Sequence, residues 1–440
     1  VTMEQSPEYL IPEGDLPPGH HPSPGFRPGR DIWSGGPPPD PEEETTRPRG
    51  TRLIGVDAAR GFALLGMIAV HTYPAYNTTT NDPSLVWFLF SGKSSALFAL
   101  LAGISVAMMS GWQTPLNGRR LAASRVSLAV RALLILILGL GINQLEPLVF
   151  NILPYYGLYF LLVIPFLRLG PIRLFLAAAV TAVIGPLLIH LINSRVDFTA
   201  VLLPSFSDLI MQPGATFLTL LAGGTFPALS WMAYLFLGMG LGRLDLGSLI
   251  NQIRLLASGL GLAFLGASTS SALFNNAGGW RNLLTAPAGW NKDEIIEIDR
   301  FGPPDDQPLP TDSLWWLAVD GPHTNTPLSL LVSAGFALAA LGGFLLLARA
   351  WEQILVPLVF MGSMTLTLYS THLVFITYAT TEPFSTFWYL LQIVASVVFA
   401  IVWSKTFGRG PLERLVTDIS KKTSALLIGP PSRSRHRRKG

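Results

Sequence analysis

Apolar residues run in long blocks between Leu53 and Phe407, separated by short polar segments, and block length decides the kind of element. A helix rising about 1.5 Å per residue needs about 20 apolar residues to cross roughly 30 Å of hydrocarbon. Ten blocks qualify, at about 54–75, 85–110, 125–145, 150–168, 171–193, 215–242, 252–275, 327–349, 354–379 and 385–406. The block 252–275 is the least apolar, because "GASTSSALF" is small and polar. The block 215–242 is long enough to tilt or to break at Pro227. The pattern predicts an all-α, polytopic integral membrane bundle of about ten transmembrane helices, with no clear internal repeat.

Composition agrees with that reading. Half of the 440 residues are hydrophobic, 13% are charged, and the mean hydropathy is +0.44. The chain has no cysteine, which excludes disulfides, thiolate nucleophiles and cysteine metal sites. Residues 1–50 hold 12 prolines, 7 glycines and no apolar core. They are expected to be a disordered tail.

The net charge of +3 averages an acidic head and a basic tail. Residues 1–50 carry nine Asp/Glu against four Lys/Arg, whereas 405–440 carry ten Lys/Arg against two acids and end in "SRSRHRRKG". Such a cluster after a last span marks a cytoplasmic tail (408–440) beside anionic lipid headgroups. Without interleaved aromatics or a folded domain around it, the basic run argues against nucleic acid as a partner. With the N-terminus inside, the cytoplasmic loops hold Arg119, Arg120, Arg125, Arg131, Arg168, Arg173, Arg243, Arg254 and Arg349. The three short outer connections hold no Lys or Arg, and the two longer ones only Arg195, Arg281, Lys292 and Arg300. Both termini are therefore expected in the cytoplasm, and the protein in the inner (plasma) membrane. The outer loop 276–326 contains Trp280, Trp290, Trp315 and Trp316. It is too short and proline-rich for a core of its own, so it is expected to cap the bundle of residues 51–407, as a lid, a sugar-binding surface or a docking face.

Ionisable groups inside spans cost several kcal/mol unless paired or hydrated, which makes them functional candidates. His71 lies about 27 Å along the first span, His372 about 26 Å along its own and His190 about 27 Å along its own, all at a similar outer depth. Asp57 and Arg60 occupy the first two turns at the inner face, and Lys93 lies about 12 Å into the second span. Asp57 and Arg60, at i and i+3, either neutralise each other or leave Arg60 for a ligand. Lys93 either pairs with an acid such as Glu146 or Asp57 or acts chemically. His190 reads as interfacial and His323 as a solvated loop residue; His20, His21 and His436 fall in the tails. His71 is suited to proton transfer near neutral pH. His372 follows it in interest, with Tyr369 one turn earlier on the same face. A three-histidine zinc site has no motif to support it, and no metal is expected.

"RLIGVDAARGFALLGMIAVH", with Arg52, Asp57, Arg60, Gly61 and His71, resembles the first span of the transmembrane acyltransferase superfamily. More narrowly it resembles bacterial relatives of heparan-α-glucosaminide N-acetyltransferase. "SGKSSALFALLAGIS", "GTFPALSWMAYLFLGMGLGRLDL", "GSMTLTLYSTHLVF" and "GRGPLERLV" are similar to later signature segments, so the resemblance covers most of 51–416. Many bacterial members of this branch carry asparagine where His71 stands, whereas the wider superfamily carries histidine. The resemblance implies transfer of an acyl group from cytoplasmic acyl-CoA to a hydroxyl or amine of an extracytoplasmic cell-envelope glycan or glycolipid. By resemblance, Arg60 handles the donor and His71 sits at the reaction centre.

On that reading Asp57, Arg60, Arg119, Arg120 and Arg125 form the donor side, since arginines suit CoA phosphates. His71 is the general base, or else the carrier of a covalent acyl group. Lys93, Tyr369 and His372 are candidate donors to the developing oxyanion. The competing function is a proton-coupled transporter or flippase, against which the chain lacks paired interrupted helices in corresponding halves. A non-catalytic scaffold, third in order, would leave the buried ionisable residues without a purpose. Oligomerisation is left open.

Overall fold

The computed structural model describes residues 53–77, 79–196, 201–304, 307–379 and 384–429. Arg52, the proline-rich head, the connection 380–383 and the last eleven residues lie outside them. Seventeen α-helices and no strand occur among the described residues. They are α1 (Ile54–Thr72), α2 (Leu85–Phe90), α3 (Lys93–Met109), α4 (Gly118–Asn143), α5 (Leu153–Leu162), α6 (Pro171–Asn193), α7 (Phe206–Met211), α8 (Pro213–Leu221) and α9 (Ala228–Gly242). There follow α10 (Leu249–Asn275), α11 (Gly279–Leu284), α12 (Lys292–Phe301), α13 (Pro327–Ala350), α14 (Val356–Gly362), α15 (Thr365–Tyr378), α16 (Ser385–Phe407) and α17 (Pro411–Ile428).

Seven helices are long and apolar enough to cross a membrane, with α2 and α3 counted together, and α14 with α15 makes an eighth. The protein is an all-helical, multi-pass membrane protein. Two of the ten expected spans are shorter: α5 has 10 residues and α9 has 15. Proline explains both, because it lacks an N–H and clashes with the preceding turn. Pro165 turns the end of α5 into a 3₁₀ segment, Ile164–Arg168, and Pro227 separates α8 from α9.

Arg119, Arg120, Arg125 and Arg131, expected in a loop, all lie on α4, which starts at Gly118 and runs for 26 residues. The block α10 is a full helix despite its small polar residues. Those residues let it approach α13, where a side chain on Gly259 would strike the backbone of Ala339 and Gly335. Small residues that bring two backbones together are the usual adhesive in lipid, where apolar side chains gain nothing by meeting. Leu260 and Phe264 on the other face point outward, at 59% and 75% exposed.

The break between α14 and α15 bends the chain by 80°. Irregular backbone at such a depth is tolerated where it lines a cavity, and Gly362, Ser363 and Thr365 do line one. Beyond the last span, α17 is an amphipathic helix packed on α4 through Val416, Ser420 and Ser424, three residues at i, i+4 spacing. The Ser424 hydroxyl donates to the Ala123 carbonyl at 2.8 Å. The segment 408–440 is thus not all tail.

The loop 276–326 also departs from expectation, for it has a core. Leu283, Ile295, Ile298, Trp316 and Val319 are buried together with Phe274 of α10. Its tryptophans are consumed in that structure: Trp290 and Trp316 donate to the two carboxylate oxygens of Asp312 at 3.0 and 2.9 Å, and their rings meet edge to face. One acidic side chain thereby offsets the shortage of apolar residues that made a core unexpected.

Candidate active site

The last turn of α1 projects His71 from the helix face that buries Met67 and Leu64, one and two turns earlier. Its Nδ1 lies 2.9 Å from Nε2 of His372 on α15. The rings are nearly parallel (7°) with centroids 5.2 Å apart, so they meet edge on through their nitrogens. His372 Nδ1 lies 2.7 Å from Oε1 of Gln392 on α16. The Gln392 amide nitrogen donates to the Trp388 carbonyl at 3.3 Å and to the Thr72 hydroxyl at 3.5 Å. Three helices are thus joined by one polar chain inside an otherwise apolar layer. An unmet hydrogen bond there would cost about 1–3 kcal/mol.

His71 opens on a cavity of about 250 Å³. Trp87, Phe90 and Ser95 form one wall, Phe150 and Phe226 another, and Phe301, Pro303 and residues 323–325 of the cap close it. His323 is not a solvated loop residue. It adopts a positive φ of 58°, packs edge on against Phe226 and lines the cavity. Burial pushes its imidazole down to about 4, so it is neutral at physiological pH. The cap is held over the cavity by Trp231, whose indole donates to Asn325 Oδ1 at 2.7 Å, and by Trp87, whose indole donates to the Arg300 carbonyl at 3.2 Å.

A second cavity, of about 540 Å³, lies at the Arg60 end of α1. Arg60 donates to Asp57 at 2.6 Å and to the Ser105 hydroxyl at 2.7 Å. Arg131, Arg409 and Glu413 line the same space, and so does Tyr369. Glu413 accepts from the backbone N–H of Thr367 (3.1 Å) and from its hydroxyl (2.6 Å), which ties α17 to the first turn of α15. Met67, midway along α1, lines both cavities.

The sequence candidates therefore separate. His71 and His372 come together between α1 and α15, whereas Tyr369 lines the Arg60 cavity, and Asp57 and Arg60 form the other end. Arg119, Arg120 and Arg125 line neither cavity among the described residues. Arg119 donates to the Ile428 carbonyl at the end of α17, Arg120 is exposed, and Arg125 has a buried Nε without a partner in the described structure. Lys93 turns back on α2, where it donates to the Phe88 carbonyl and lies over the Phe88 ring. Neither Asp57 nor Glu146 is its acid; the charge it acts on is Asp320 of the cap. His190 does not join the histidine pair.

Residues 52–270 match the family described as heparan-alpha-glucosaminide N-acetyltransferase, catalytic. Over that half of its length, the chain belongs to this family. No curated protein matches it. The matched stretch of the acetyltransferase holds Asp57, Arg60, His71 and Arg131; the cap, His372, Gln392 and Glu413 lie beyond it.

The sequence assigns no role to four residues of the site: Arg131, Arg409 and Glu413 in the Arg60 cavity, and Gln392 behind His372. Arg131 carries the plainest signal, an arginine inside the apolar run "SLAVRALLIL", masked by being counted into a loop. Gln392 is a lone amide in "WYLLQIVASVV", a weak signal in one sequence. Arg409 and Glu413 fall in "GRGPLERLV", similar to a signature segment, but within 408–440 read as a basic cytoplasmic tail they carry no assigned role.

Proposed function

We propose that this membrane acetyltransferase moves an acyl group from a cytoplasmic acyl-CoA, held at the Arg60 end, to a hydroxyl or amine of an extracytoplasmic cell-envelope glycan or glycolipid at the His71 end. The observation that carries the reading is the pair of cavities that share Met67, one bordered by arginines and the other by His71. Charge-assisted hydrogen bonds from Arg60, Arg131 and Arg409 suit the phosphates of CoA. The thin pantetheine arm then follows α1 toward His71, about 17 Å from Arg60 along the helix.

In the reaction, an acceptor hydroxyl gives its proton to His71 as its oxygen attacks the thioester carbonyl. The tetrahedral intermediate collapses, the C–S bond breaks, and the same proton returns to the departing thiolate. The acceptor leaves as an ester, or as an amide if the nucleophile was an amine. Tyr369, which accepts from the Ile152 N–H at 3.5 Å and faces the Arg60 cavity, is the nearest candidate to steady the oxyanion. Lys93 would need to leave Phe88 to take that part.

The reading places the protein in the inner membrane, with Arg60 facing the cytoplasm and the cap outside. The test is His71→Ala in a host deleted for the native gene, with envelope glycans profiled for acylation by mass spectrometry. The expected outcome is loss of one acylated species in the variant, with turnover of acetyl-CoA by purified protein down by at least about a hundredfold. Unchanged acylation removes His71 from the chemistry. Substrate-dependent pH changes in proteoliposomes without thioester turnover would point to a transporter instead.

A further inference from the structure

We propose that Gln392 is a positioning residue that fixes the tautomers of both histidines and leaves His71 Nε2 bare, ready to act as a base. This rests on the acyltransferase reading above and adds a member to its site. The polar chain fixes its protons from its closed end. One end of the Gln392 amide faces the Trp388 carbonyl, which only accepts, so that end is the NH₂ group. Thr72 agrees: its hydroxyl proton is given to the Ile68 carbonyl at 2.7 Å, leaving its oxygen free to accept from the same NH₂.

The other end of the amide is then Oε1, an acceptor only, 2.7 Å from His372 Nδ1. His372 must carry its proton on Nδ1. A neutral imidazole has one N–H, so His372 Nε2 is bare and accepts. The proton in the 2.9 Å contact therefore belongs to His71 Nδ1, and His71 Nε2 is left unprotonated. Each step follows from the one before, and the starting point is a backbone carbonyl that cannot change its role.

The choice of an amide has a consequence of its own. A carboxylate in place of Gln392 would orient His372 equally well but would favour a permanent extra proton on the pair, and a protonated His71 is no base. A neutral acceptor orients without charging. The titratable groups acting on His71 are His372 and His323, with Tyr369 one turn before His372; none is an acid that would hold that proton. When His71 takes the acceptor's proton, the positive charge is met by His372 Nε2, which in turn leans on Gln392.

The experiment uses the full chain in lipid nanodiscs, with acetyl-CoA as donor, water as the slow acceptor, and release of the CoA thiol followed from pH 5 to 9. Acetyl-CoA affinity and thermal midpoint are measured alongside. Gln392→Leu is expected to lower kcat on the order of a hundredfold with KM within about twofold of the parent, because a wrong tautomer forfeits the general base. Gln392→Glu is expected to retain turnover at high pH, with the acid limb of its rate profile moved up by at least about one pH unit. A merely structural role would lower turnover without moving the profile. If Gln392→Leu does not fold, the profile of Gln392→Glu decides alone. Parent-like kcat in Gln392→Leu, or an unmoved profile in Gln392→Glu, overturns the proposal and leaves the acyltransferase reading intact. Absence of any thiol release by the parent, or equal release by His71→Ala, overturns that reading and this proposal with it.

Discussion

Arg60 spends two of its five N–H groups on Asp57 and Ser105, and the rest of its planar fork borders the cavity. The guanidinium is thus anchored, which lowers the entropy lost when a phosphate or thioester arrives. Arg131 and Arg409 border the same space, and a hydrogen bond between charged partners is worth about 1.5–3 kcal/mol. Arg131→Ala and Arg409→Ala are each expected to raise KM for acetyl-CoA by about tenfold or more with kcat retained, and by more than Arg119→Ala does. Steady-state kinetics over a range of acetyl-CoA concentrations checks this; a fall in kcat at unchanged KM would assign these arginines elsewhere. At this scale the sequence marked chemistry by depth. His71, His372 and His190 stand at matching depths on their spans, so a shared layer was legible, but which two of the three meet was not. Which arginines face the donor was not, because facing depends on how far α4 extends and on where α17 docks.

Glu413 shows how an element outside the bundle shapes the site. Its carboxylate accepts from the Thr367 N–H in the first turn of α15, where the helix end carries a partial positive charge. Glu413→Ala is expected to cost about 1–2 kcal/mol of stability by leaving that N–H unmet, read as a lowered thermal midpoint; an unchanged midpoint would show that water satisfies the turn. The buried face of α17 is weakly marked in the sequence because two of its three packing residues are serines. The cap is the second such element, and pH should act on it. Burial and the neighbouring Asp320 push the Asp299 carboxyl up to about 6, against a pull down from the Asp320 backbone and Arg300. The folded cap therefore holds that proton more tightly than the unfolded chain. Its contribution to stability is full at low pH and is lost as pH rises from about 4 to 6. His323 has the opposite sign: held down to about 4 by burial, it contributes fully above about 6.5 and loses that as pH falls. Asp299→Asn removes the first contribution. Hydrogen-exchange protection of residues 279–301, corrected for intrinsic rates, should then rise with pH from 4.5 to 6.5 more steeply than in the parent. An equal or shallower rise would mean that Asp299 titrates normally.

Across the whole molecule, α1 contributes to both cavities, which share Met67, and passage of an acyl chain past that residue is what separates a transferase from two unconnected pockets. The apolar blocks revealed which segments are helices, and the polar intruders divided α1 into two ends. No periodicity could reveal that α1 borders two cavities sharing Met67, since that depends on the bent α14–α15 pair and on the cap. Met67 sits at the junction and is 4% exposed. An unbranched side chain with three rotatable bonds can swing aside at little cost, which suits a passage for a narrow thioester arm. Met67→Leu keeps the volume and is expected to keep most turnover. Met67→Trp adds a rigid ring at the junction, and it should leave acetyl-CoA affinity at the Arg60 end within about threefold of the parent while lowering turnover at least about tenfold. Thermal midpoints of both variants separate obstruction from unfolding, because overpacking a core costs about 1–3 kcal/mol and should leave the protein folded at assay temperature. Obstruction predicts tight binding with slow thiol release. If Met67→Trp instead turns over acetyl-CoA at the parental rate, the acyl group does not pass Met67, and the route from Arg60 to His71 must run along another face of α1.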